Sequence, residues 1–128
     1  MANNLTTVAL NLLLDLASGK TSAAPFTTPT KVALVTAAGS ASANGTEVTG
    51  GSYARQNVTM NSAASGAATN SAAVSFTNMP AATVVGVEIW DSAATPKRIW
   101  FGPLSASKTT AAGDTFTIAA GSLSLSLS

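Results

Sequence analysis

The chain closes on strict alternation: from Ser122 to Ser128 leucine and serine take turns without a break. A period of two belongs to a β-strand with one wet and one buried face, whereas a helix would spread the leucines around its circumference. The same pattern recurs upstream. Residues 31–36 read as a strand with Val32 and Leu34 on one face. Residues 53–60 alternate, with Ala54, Val58 and Met60 opposing Tyr53, Arg55 and Thr59. Residues 72–77 present Val74 and Phe76. Residues 83–91 are apolar on both sides, Val85, Val87 and Ile89 against Val84 and Trp90, which predicts a central strand. A hairpin loop at 92–96 leads to a strand at 97–104, with Ile99 and Phe101 facing one way and Trp100 the other. Pro103 predicts that this strand ends or reaches a sheet edge there. Ala112-Gly113-Asp114 reads as a turn, 115–119 as a strand with Phe116 and Ile118, and Gly121 as the break before the last strand. Segments 37–52 and 61–71 read as loops of small residues.

One stretch has a different period. Leu5, Val8, Ala9, Leu12, Leu13 and Leu16 recur at three- and four-residue steps, which predicts a helix over 3–17. Asn3 or Asn4 is its expected N-cap, and Ser18-Gly19-Lys20 its stop. The stripe packs either on the domain's own sheet or on a neighbouring subunit. Residues 20–30, with Pro25 and Pro29, form an extended connector.

About seven strands, short turns and one helix predict a mostly β fold. The expected architecture is an antiparallel β-sandwich of Greek-key, Ig-like or jelly-roll type. Residues 1–20 form the docking or oligomerisation helix, 21–30 the connector and 31–128 the sandwich.

Composition narrows the chemistry. The 128 residues contain no cysteine and no histidine. That removes disulfides, thiolates and the commonest general base and metal ligand. Six basic and five acidic side chains give a net charge of +1, with no basic footprint for nucleic acid or lipid. The acids Asp15, Glu47, Glu88, Asp91 and Asp114 are scattered, and Glu88 and Asp91 fall on opposite faces of one strand. Gly50-Gly51-Ser52 lacks the lysine and helix of a phosphate loop. The apolar run from Val8 to Leu16 is too short to span a bilayer and has no signal-peptide charge pattern. The expectation is a non-enzyme with no cofactor and no metal, made without export.

Two groups of side chains stand out as contact candidates. Trp90 and Trp100 occupy roughly facing positions on one hairpin, with Arg98 on the face of Trp100. They either fill the core or form an exposed aromatic pair for a subunit contact or for stacking on a sugar. Glu47 and Arg55 flank Gly50-Gly51 and form either a surface ion pair or a lock on the long loop. With Tyr53 and with Leu5, Val8, Leu12 and Leu16 of the helix, they complete the interface candidates.

The segment Gly45-Thr46-Glu47-Val48-Thr49-Gly50-Gly51-Ser52-Tyr53-Ala54-Arg55-Gln56 resembles a family of small tailed-phage structural proteins. So do Asn11-Leu12-Leu13-Leu14-Asp15, Val32-Ala33-Leu34, Asn70 to Phe76, Trp90 to Ala94, Ser107-Lys108-Thr109 and Gly113-Asp114-Thr115. Together they cover nearly the whole length. The hairpin loop departs from the family pattern: Ser92-Ala93-Ala94-Thr95-Pro96 lacks a glycine pair, so its tip is stiffer. Members of the family are described as tail-fibre or head-decorating proteins. The resemblance implies a virion component; taken with the short length and the missing chemistry, it gives the expectation of a capsid decoration protein on the virion exterior, assembled in the host cytoplasm. Its expected partners are the major capsid protein and copies of itself, as a homo-oligomer such as a trimer, with no nucleic acid and no membrane. The alternatives are a tail-tip or tail-fibre component touching the host surface, or a carbohydrate-binding module. A glycan-cleaving enzyme is disfavoured by the scattered acids.

Overall fold

The computed structural model describes residues 4–127. Its first element is β1 (Asn4–Leu5), followed by α1 (Thr7–Ala17) and β2 (Thr30–Ala37). Then come β3 (Thr46–Glu47), β4 (Gln56–Val58), β5 (Ala67–Thr69), β6 (Val74–Met79) and β7 (Ala82–Trp90). β8 (Arg98–Thr110), β9 (Asp114–Ile118) and β10 (Ser124–Ser126) complete the chain. One sheet has the order β1-β8-β7-β2-β3, with β4 also paired to β2. The β6–β9 and β5–β10 pairs form the opposing layer, and every pairing is antiparallel. The expected β-sandwich with one helix near the N-terminus is therefore the observed class.

The core lies between the layers. Val32, Leu34, Val87 and Ile89 from the large sheet meet Val74, Phe76, Phe116 and Ile118 from β6 and β9. Phe76 stacks on Tyr53, with centroids 5.8 Å apart, and meets the edge of Phe116 at 6.2 Å. These are the offset and edge-on arrangements that aromatic quadrupoles favour. β7 is central, as its two-sided apolar character predicts, because β2 and β8 flank it.

Irregularities in the ladders account for several departures. Val84, not Val85, joins Val87 and Ile89 in the core, because the β7–β8 register shifts between Val84 and Gly86. A bulge of this kind reverses the face of every residue beyond it. β8 does not stop at Pro103 but runs on to Thr110. Among the described residues its pairing with β1 ends at Phe101, so Pro103 stands where none of them asks for its missing N–H on the outer side. The expected loop 61–71 contains β5, which pairs with β10. The expected strand 53–60 shortens to β4.

The C-terminal alternation forms β10 over three residues. Leu123 is buried, Leu125 half-buried and Leu127 exposed, while Ser128 lies outside the described residues. Buried Asn70 ties this end down. Its Oδ1 accepts from Leu123 N at 2.9 Å, and its Nδ2 donates to the carbonyls of Ala72 and Ala119.

α1 starts later than the apolar period indicates. Asn4 and Leu5 pair with Phe101 and Trp100 of β8, so the helix starts only after Thr6. Asn3 lies outside the described residues and Asn4 is in a strand. The N-cap is Thr6, whose Oγ1 accepts from Ala9 N at 3.2 Å and donates to Arg98 O at 2.7 Å. The helix stops as expected: Ser18 is the C-cap, and Gly19 takes the left-handed conformation at φ +83°. Among the described residues, no helix is long and apolar enough to cross a membrane.

Candidate functional site

The outer face of the large sheet carries a continuous polar and aromatic network. Glu88 on β7 and Arg98 on β8 are both buried and form an ion pair at 3.1 Å. Glu88 also accepts from Gly45 N at 2.7 Å and from Trp90 Nε1 at 3.2 Å. Arg98 donates to the carbonyl of Ser40. Loop 38–45 is thereby clamped onto the sheet from both ends. Gly45 must be glycine here, because a Cβ would come within 2.5 Å of the Ala37 carbonyl oxygen.

Trp90 continues the network. The Arg55 guanidinium lies 4.1 Å from its ring centroid, in cation–π contact. Arg55 grips Glu47 with two hydrogen bonds, at 3.0 and 2.9 Å. Tyr53 donates to Glu47 at 2.8 Å and accepts from Leu34 N at 2.9 Å. Burial, first of all, raises the Tyr53 hydroxyl above its ordinary range, and the bond to Glu47 adds to this. The paired Glu47 raises Arg55 further. The Glu47–Arg55 pair is partly exposed and closes the turn that runs between its two members.

The hairpin between β7 and β8 is pinned by Asp91. Burial alone would raise its carboxyl. Backbone N–H groups of Lys97, Thr27 and Ala93, together with the Lys97 ammonium at 3.6 Å, outweigh burial and hold it below its ordinary value. Glu47, Glu88 and Asp91 are thus each engaged in shaping the fold.

On another part of the surface, apolar side chains stand uncovered. Ala9 is the fully enclosed residue of α1, while Val8, Leu10 and Leu14 are 54, 51 and 66 % exposed. Asn11 and Asp15 are the polar residues of its interior, so the helix is apolar on nearly every side. Such a helix is normally buried all round. Leu10, Leu14 and Ala17, spaced by four and three, form a ridge facing away from the domain. Beside it, Leu13, Phe26, Met60 and Ile99 line a cavity of about 270 Å³. Ala63, Ala67 and Ala68 line a second one of about 180 Å³. The two meet at Trp100, Leu125 and Leu127, making one apolar groove.

Residues 4–126 match the family described as Podophage GP4 fiber I protein gp80. The chain belongs to this family. No curated protein matches it. As a member of a phage fibre-protein family it is a virion structural protein, in agreement with the resemblance read from its segments. The family description names a fibre, not a capsid decoration.

In this fibre-family protein the sequence candidates divide between the two regions. Glu47, Tyr53, Arg55 and Trp90 come together in the clamp. Val8, Leu12 and Leu16 lie on α1, with Leu12 half-buried and Leu16 at its exposed margin. Leu5 is not helical but sits in β1, opposite Trp100. Trp90 and Trp100 do not face each other: Trp90 pairs with Arg98 and Trp100 with Ile89, because the register shifts between them. Arg98 accordingly lies under Phe101, 5.1 Å from its ring centroid, and not beside Trp100. Trp100 is half-buried in the groove, packed partly against the core. Leu10 and Leu14 were not among the sequence candidates. Their four-residue spacing, in a helix with so few polar residues, was the available signal.

Proposed function

We propose that this virion protein is a compact, non-catalytic module of a phage fibre, held in the particle by apolar contact. The carrying observation is the uncovered ridge of α1 on a sandwich whose buried charges are engaged in internal bonds. A module of this kind needs a fixed shape and a contact surface, which the clamp and the ridge supply. Its partners in this reading are copies of itself and a neighbouring virion protein. No cofactor, metal, nucleic acid or membrane enters the reading.

A second position has its own support. Among the described residues all ten strands pair within the chain, as a sandwich and not as the shaft of a fibre. A sandwich domain with an uncovered apolar helix also suits the capsid exterior, docked on the major capsid protein. Quantitative mass spectrometry of purified particles separates the two positions. A handful of copies beside the many of the major capsid protein fits the fibre, and hundreds fit the capsid exterior. Turnover of any substrate by the pure protein would overturn the non-catalytic reading.

A further inference from the structure

We propose that the ridge of α1 in one copy seats in the Trp100 groove of a second copy. This rests on the reading of α1 as a contact helix and adds what covers it. The chain carries both halves of the contact. The ridge presents Leu10 and Leu14, which as an i, i+4 pair stand about 5–6 Å apart. The groove offers two apolar cavities joined at Trp100, one for each leucine. The charge balance permits the approach, since Asp15 is the one charged residue of α1 and the net charge is only +1.

Area favours ridge against groove over ridge against ridge. The 11 residues of α1 make a rod about 16 Å long and about 10 Å wide. One side of such a rod is about 250 Å², so two ridges meeting bury about 500 Å² in total, within the range of incidental contacts. When each ridge fills the other copy's groove, both surfaces count on both chains. The total then reaches about 1,000 Å², where specific interfaces begin. Leu127, 53 % exposed at the groove's rim, is covered in the same step.

The absence of cysteine makes the test direct. Full-length L14C and L127C proteins are made separately, mixed and treated with a short bis-maleimide. The expected product is a covalent dimer in the mixture and none from L14C alone. Sedimentation of the wild type should show association rising with concentration. The double variant L10S/L14S should weaken it by at least about a hundredfold with unchanged far-UV circular dichroism. Should that variant unfold, L127S, altered at an exposed site, should still weaken association. A wild type that stays monomeric at every concentration, L14C linking to itself, or an L127S protein that associates like the wild type overturns the proposal. A monomer still found in purified particles sinks this contact alone. An associating protein absent from particles sinks the fibre reading and leaves the contact standing.

Discussion

Replacing Arg98 with methionine keeps most of the side chain's length and removes its charge. Glu88 then remains buried with no cation beside it. At 3.1 Å two unit charges attract by about 5 kcal/mol if the effective dielectric constant is about 20. Desolvation offsets much of that in the intact pair, but not once one partner is gone. Loss of one member of a buried pair costs about 3–5 kcal/mol. That is a large part of the roughly 5–15 kcal/mol that holds a domain folded. The Ser40 carbonyl loses its donor as well, so loop 38–45 is released on that side. Urea unfolding at pH 7 should show the full loss, and limited proteolysis should cut within 38–45 faster than in the wild type. The double variant R98M/E88L supplies the control. With neither charge of this pair left, it should be markedly more stable than R98M alone. A loss below about 1 kcal/mol in R98M, or a double variant no better than the single, would refute the charge argument.

Two further outcomes follow from the same geometry. Asp91 has its folded value depressed below the ordinary 3.8, so its stabilisation is present above that pH and lost as pH falls through the folded value. D91N should therefore be less stable than the wild type near neutrality, with the gap closing below about pH 4. Urea midpoints from pH 6 to 2 test this, and a gap independent of pH would contradict it. Y53F leaves the Leu34 N–H without its acceptor and should cost about 1–3 kcal/mol, with faster hydrogen exchange at the Leu34 amide. An unchanged exchange rate there would show that another group holds that amide.

How much of this was legible in the sequence depended on whether local period or distant pairing decided each element. The core strands were legible because Val32 and Leu34, Val74 and Phe76, and Phe116 and Ile118 alternate without interruption. The stop of α1 was legible because Gly19 provides a left-handed residue where the stripe ends. The start was not. The apolar period runs through Leu5, and only pairing with β8 pulls Asn4 and Leu5 into a strand, leaving Thr6 as the cap. The Trp90–Trp100 pairing failed for a related reason. Counting residues across a hairpin assumes an even ladder, and the register shift between Ile89 and Trp90 puts Arg98 opposite Trp90 instead.

The clamp illustrates the same limit from the side of function. Glu47, Tyr53, Arg55 and Trp90 were recognisable singly as unusual residues in a chain of alanine, serine and threonine. Glu88 and Arg98 were recognisable as charges set within apolar strands. What joins them is Trp90, which donates to Glu88 and carries the Arg55 guanidinium on its ring, while Glu88 and Arg98 hold loop 38–45 at Gly45 and Ser40. A loop held this firmly gives the module one shape, which the proposed ridge-and-groove contact between copies requires. The rigidity of the clamp and the apolar exposure of α1 are in that sense one design. In the contact proposed above, the buried charges hold the surface still and the uncovered leucines supply the driving force.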